Sequence, residues 1–174
     1  MISEILWGDR EKNMSVHNIK GFVKFYQESF YDPVTVTVSI QGLPDGFHGF
    51  HVHEKPIEDF GDDVMECCDK LGGHFNVGEK WSLENQSGTK HGIKGHNGDL
   101  CNNIYSEDGE CFIIFRDDNI SLFTEDERCI IGRSIVIHEE KDDMGLPVYT
   151  EEKKEIDKFI TGNAGKRIAC GNII

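Results

Sequence analysis

Val34-Thr-Val-Thr-Val-Ser-Ile40 sets apolar residues at 34, 36, 38 and 40 against small polar residues between them. Side chains along a strand point alternately to opposite faces, so a period of two describes a strand with one buried face. Outward from this stretch, weaker versions of the pattern occur at about 17–27, 47–53, 101–105, 110–116, 119–123, 129–138 and 166–174. Ser106-Glu-Asp-Gly109 lies between two of these runs, and Asp-Gly is a favoured hairpin turn. No stretch sustains the 3.6-residue period of an amphipathic helix. Seven or eight short strands joined by turns predict an all-β antiparallel sandwich or barrel.

The chain of 174 residues suits a single domain over 1–174, and a domain of that size buries roughly 70% of its unfolded surface. Eleven Phe, four Tyr and two Trp argue against disorder. Thirty-two acids against 18 Lys plus Arg give a net charge of -14, which leaves no basic field to hold nucleic-acid phosphates. No apolar run approaches the ~20 residues that span a bilayer. The opening MISEILWGDREKN mixes apolar and charged residues without the uninterrupted core of a secretory signal, so a cytoplasmic location is expected. Six cysteines at 67, 68, 101, 111, 129 and 170 contain no CxxC, and their default reading is buried free thiols.

Residues 54–96 and 139–165 break the strand pattern with Gly, Pro and charge. Irregular segments this long build no core of their own and must be clipped down. The sequence offers a metal and a disulfide as clips. His51-Val-His53 puts two imidazoles on one strand face; His74, His91 and His96 follow in the long irregular stretch, with Asp99 three residues on, and His138 ends the apolar run from Ile130. Imidazoles with one carboxylate and no thiolate suit Cu(II) and Zn(II) better than Mg or Ca. Seven such residues exceed one tetrahedral site, and two metals sharing a ligand account for the count.

Gly49-Phe-His-Val-His-Glu54, Gly73-His-Phe-Asn76, His96-x-x-Asp-Leu100, the Cys129–Glu139 stretch CIIGRSIVIHE and Thr161-Gly-Asn-Ala-Gly-Lys-Arg-Ile-Ala-Cys-Gly171 together resemble the copper/zinc superoxide dismutases. The resemblance runs from about residue 16 to the C-terminus. It implies an eight-stranded Greek-key barrel or immunoglobulin-like sandwich, with a long metal-binding loop and an electrostatic loop. It also implies copper on His51, His53, His74 and His138, and zinc on His74, His91, His96 and Asp99, with His74 bridging. The His74–His91 interval is about twice the usual one, which an insertion near 78–86 explains. Asp142 matches a carboxylate linking a copper-ligand and a zinc-ligand histidine, a partner metal-bound imidazoles commonly have. His48 reads as a structural hydrogen-bonding histidine, and His17 as a surface or strand residue.

The implied reaction converts superoxide to oxygen and hydrogen peroxide by alternate reduction and reoxidation of Cu(II)/Cu(I), with His74 carrying a proton. Arg167 would dock the anion and Thr161 would narrow the channel opposite it. Lys153, Lys154 and Lys158 fall in the electrostatic-loop counterpart at 139–160, among eight acids. Cys170 would pair with Cys68, with neighbouring Cys67 as a competitor. Homodimerisation is implied through an apolar patch including Ile131, Gly132, Ile173 and Ile174, with the insertion at 55–66 near the partner. A copper chaperone is a further partner. The alternative is a catalytically weak, dismutase-like copper-binding module or decoy.

Overall fold

The computed structural model describes residues 1–7, 13–15, 19–61, 63–78, 95–144 and 162–174. His17, His91, Lys153, Lys154, Lys158 and Thr161 lie outside them. In chain order the elements are β1 (Ile2–Trp7), β2 (Asn13–Ser15), β3 (Lys20–Tyr26), β4 (Val34–Gln41), β5 (Gly46–His53), α1 (Val64–Asp69), β6 (Asn103–Ser106), β7 (Glu110–Asp117), β8 (Ser134–His138) and β9 (Arg167–Asn172). One sheet runs β1-β3-β4-β7 and the other β2-β9-β8-β5-β6, antiparallel throughout. Eight strands are longer than three residues, the number the resemblance implies, although β1 lies before the stretch that carries it; β2 is a short addition at a sheet edge. β4 pairs with β7 in the first sheet, while β5 and β6, between them in sequence, pair in the second. That interleaving is a Greek key. Among the described residues the two sheets face each other as a sandwich without closing into a barrel.

β4 behaves as its alternation dictates. Val34, Val36, Val38 and Ile40 are at most 1% exposed, and the residues between them face outward. Each such burial stabilises by about 1.5–3 kcal/mol. Opposite them the second sheet contributes Phe50, Val52, Ile135, Ile137 and Ala169 to the same core.

The Asp108-Gly109 turn forms, both residues having positive φ (52° and 75°) as a two-residue hairpin requires. Its arms then part into different sheets after the single bridge between Glu107 and Glu110. Residues 119–123 and 129–133, expected as strand, are bends and turns that meet in an isolated bridge between Ser121 and Cys129. Gln27 limits the pairing, because its buried side-chain oxygen accepts from Leu122 N–H (2.7 Å), taking that group out of any ladder, and also from Ser121 Oγ (3.2 Å). β1 went unanticipated, although Ser3, Ile5 and Trp7 are all buried. Ile173, expected on an exposed patch, is wholly buried in the core, whereas Ile174 is 78% exposed.

Candidate metal centre

The end of β5 carries His51 and His53, both buried, two positions apart and so on one face. β8 runs antiparallel beside it, with Val136 opposite His51 and Ser134 opposite His53, so the two-residue period puts His138 on the same face. The chain after β5 returns along its edge. Phe75 N–H donates to Val52 carbonyl (2.8 Å) and Glu54 N–H to Gly73 carbonyl (3.0 Å), which sets His74 beside His53. Gly98 N–H donates to Phe75 carbonyl (2.8 Å), bringing the helical turn Asn97–Asp99 up behind His74. A side chain at Gly98 would run into the Val52 carbonyl, so this close approach requires glycine.

Two groups of donors result. One ligand atom each from His51, His53, His74 and His138 lies within 4.8 Å of the others, as do ligand atoms of His74, His96 and Asp99. His74 belongs to both. Its Nδ1 sits 2.7 Å from Asp99 Oδ1, which also lies 3.2 Å from His96 Nδ1. Its Nε2 is buried and has no hydrogen-bond partner among the described residues; the same holds for His51 Nδ1.

The outward nitrogens of the first group are held. His53 Nδ1 lies 3.0 Å from the Gly72 carbonyl and His138 Nδ1 3.2 Å from the Gly165 carbonyl. A carbonyl only accepts, so each ring carries its proton on Nδ1 and keeps a lone pair on Nε2. Those two Nε2 atoms are 3.4 Å apart. His51 is turned the other way: its Nε2 is 2.8 Å from Asp142 Oδ2, which leaves Nδ1 to face the cluster. Asp142 is fixed in turn by Asn103, whose Oδ1 accepts from Asp142 N–H (2.8 Å) and whose Nδ2 donates to the Asp142 carbonyl (3.0 Å).

Burial dominates the electrostatics. It pushes His53 and His138 far below their ordinary value and His74 down to about 4, with neighbouring imidazoles, and Arg167 for His53 and His138, adding to the effect. These rings are neutral near pH 7, the form that donates to a metal. Burial alone would raise the carboxyls of Asp99 and Asp142. Hydrogen bonds from His74 and His96 hold Asp99 far below its usual range, and His51 likewise lowers Asp142.

An unpaired buried polar atom costs about 1–3 kcal/mol. Two of them aimed into a nest of neutral imidazoles are explained if a cation completes the site. An all-imidazole set fits copper, and imidazoles with a carboxylate fit zinc. The donors therefore match the two metals that the sequence resemblance implies.

Arg167 opens β9 opposite His138 in the ladder. Its Nη1 donates to the Cys68 carbonyl and its Nη2 to the Gly72 carbonyl, both at 2.7 Å. The Gly72 carbonyl thus anchors both Arg167 and His53. Cys68, on α1, is disulfide-bonded to Cys170 on β9. Burial works against the Arg167 charge and Asp69 in support of it. His48 has its ring nitrogens 2.8 Å from the His138 and Pro44 carbonyls, a structural brace as expected.

Sequence reasoning missed α1 and Asn103. The helix had a signal: Asp63 caps it by accepting from Met65 and Glu66 N–H, and Asp-x-x-Glu is the pattern of a helix start. Asn103 had none, because only the folded contact with Asp142 distinguishes it.

The family model described as copper/zinc superoxide dismutase (SODC) matches residues 19–173. Among curated proteins the chain is 42% identical to superoxide dismutase [Cu-Zn] A of Xenopus laevis over 156 residues, which is 90% of this chain and 89% of that one. It is 38% identical to superoxide dismutase [Cu-Zn] 5 of Dictyostelium discoideum over 155 residues, 89% and 90% of the two chains. At 38% it also resembles an extracellular superoxide dismutase [Cu-Zn] of Drosophila melanogaster, over 89% of this chain and 75% of the relative. Among solved structures it resembles the clock protein EA4, with a TM-score of 0.72 and 34% identity over 99% of this chain and 92% of that one.

Proposed function

The chain belongs to the copper/zinc superoxide dismutase family, and from that premise we propose how its own residues divide the work of dismutating superoxide to oxygen and hydrogen peroxide. His51, His53, His74 and His138 would hold copper, His51 offering Nδ1 and His53 and His138 offering Nε2. His74, His96 and Asp99 would hold zinc, with His91 the proposed fourth ligand. When bound, copper supplies the one-electron couple that superoxide both reduces and reoxidises, and zinc, which has no redox change, supplies fixed charge. The observation that carries this reading is His74, whose ring directs one nitrogen to Asp99 and leaves the other unpartnered among imidazoles.

Within that arrangement the protein binds an anion, orients it and delivers a proton. Arg167 is the docking group. Two of its five N–H bonds are committed to the Cys68 and Gly72 carbonyls, which locks the guanidinium plane and leaves the others for superoxide. His74 Nε2 is the atom that takes up and releases a proton in each cycle, since no group among the described residues competes for it. Asp142 keeps His51 in the tautomer that presents Nδ1. For Thr161, Lys153, Lys154 and Lys158, outside the described residues, the roles proposed are those the resemblance implies: a narrower approach for the first and added positive charge for the lysines.

Metal analysis with a superoxide-dismutation assay tests the reading. Roughly one copper and one zinc per chain are expected. His51→Ala should lose copper and activity together. Arg167→Ala should keep its copper and lose activity by an order of magnitude or more, through weaker substrate capture. Full copper without dismutation in the wild type would move the chain to the decoy reading.

Homodimerisation is proposed through Ile131, Gly132 and Ile174, which are exposed or partly exposed near the β8 and β9 ends; Ile131→Lys should then weaken association. Cytoplasmic residence is supported by three cysteines that stand outside the disulfide, Cys67, Cys111 and Cys129, and cell fractionation checks it. Copper loading by a chaperone is the matching proposal for partners.

A further inference from the structure

The outward row of β7 breaks the rule that its neighbour keeps. β4 turns Thr35, Thr37, Ser39 and Gln41 away from the core, as one wet face demands. β7 pairs with β4 along its length and turns Cys111 inward, yet its outward residues include Phe112 and Ile114, 71% and 57% exposed. An unbroken run such as Cys111-Phe-Ile-Ile-Phe115 is the sequence of a strand covered on both faces. Here only one face is covered.

The register extends this apolar surface across the sheet. Phe112 aligns with Ser39, Ser39 with the half-buried Phe22, and Phe22 with Leu6, while Tyr26 aligns with Ile2 one edge over. Ile2, Leu6 and Tyr26 are 61%, 52% and 41% exposed. With Phe112 and Ile114 they offer on the order of 500 Å² of accessible side chain, a large share of the ~800 Å² that each partner buries in a standard interface. The outward charges are Lys20, Lys24 and Arg116 against Glu4 and Glu110, three positive and two negative, on a chain whose net charge is -14. Taken together, the rest of the chain carries the whole acid excess. This face carries none of it.

We propose that the outer face of sheet β1-β3-β4-β7 docks on the same face of a second copy, stacking two four-stranded sheets. The contact is separate from the Ile131 patch, which flanks the ends of β8 and β9 in the other sheet, so the two together would build a tetramer. Repulsion between two acidic chains is what opposes the contact, and added salt should strengthen it.

Sedimentation velocity across a concentration series tests this on wild type, Phe112→Lys/Ile114→Lys and Phe112→Thr/Ile114→Thr, the last pair keeping strand propensity should the lysines disturb folding. Both double variants should sediment at half the wild-type mass with dismutation per chain unchanged, and Ile131→Lys should still show Phe112-dependent association. Equal mass for wild type and both double variants overturns the proposal. Wild type that co-sediments with phosphatidylserine vesicles, while its own mass is insensitive to the β7 variants, assigns the face to a membrane surface and overturns it as well.

Discussion

A histidine ring has two nitrogens, and what the second one does decides what the first can offer. Asp142 illustrates this for His51, because its carboxylate at Nε2 leaves Nδ1 as the donor. Asp142→Ala should lower copper affinity by roughly 10–100-fold, the usual cost of removing such a partner. Competition with a copper chelator measures it, and an unchanged affinity would deny Asp142 this role. His51, His53, His74, His96, Asp99 and His138 were all legible in the sequence, because two-residue spacing and residue chemistry survive without a fold. The Gly72 and Gly165 carbonyls were not, since any residue has a carbonyl and only folding aims it. A second residue-scale prediction concerns Asp126, whose carboxyl is lowered chiefly by hydrogen bonds from the Arg128 side chain, at 2.6 and 3.0 Å. A carboxyl lowered on folding adds stability that is complete above its unfolded value and is lost as pH falls through the folded one. The pair is near the surface, so Asp126→Asn should cost about 0.5–1 kcal/mol at pH 7. Denaturant melts should show the difference shrinking below pH 4, and a gap that persists at the lowest pH would assign the effect to the Ser121 and Arg128 backbone contacts instead.

At the level of elements, α1 is short, and packing rather than propensity holds it. Cys67, Cys68 and Leu71 join Ile57, Val136 and Cys170 in a small apolar cluster outside the main core, and the Cys68–Cys170 bond ties 102 residues of separation together. Cys170→Ser is the informative variant, because in Cys68→Ser the adjacent Cys67 could pair with Cys170. Loss of a crosslink of that span should cost about 2–5 kcal/mol. It should also raise KM for superoxide more than it lowers kcat, because the Cys68 carbonyl that steadies Arg167 would move with α1. A melt with no loss of Tm, or a variant with unchanged KM, would separate the helix from the arginine. Strands were legible where one face alone is apolar, as in β4. The stretch 119–123 read as strand from the same alternation, and nothing local revealed that Gln27, nearly a hundred residues away, takes the Leu122 N–H. β1 alternates too, but its outward Ile2 and Leu6 hide the period.

For the whole molecule the question is how an anion reaches the site of a protein with net charge -14. Charge separated from the anion by more than a Debye length is screened, and that length is about 10 Å at 0.1 M salt. Two fields therefore compete during approach: a diffuse acidic one from the surface, and a local positive one at Arg167, half-buried between low-dielectric walls that concentrate it. If the local field governs capture, kcat/KM should fall as ionic strength rises from 10 to 300 mM, by several-fold within the ~10–10³ range that steering commands. Removing that charge shifts the balance. In Arg167→Ala the local positive field is cut back to what Lys153, Lys154 and Lys158 supply, so the much lower rate of that variant should fall less with salt than the wild-type rate, or rise. Pulse-radiolysis rates for both proteins over the same salt series decide the matter. A wild-type rate that climbs steadily with salt would mean that the surface acids dominate and that Arg167 acts only at contact.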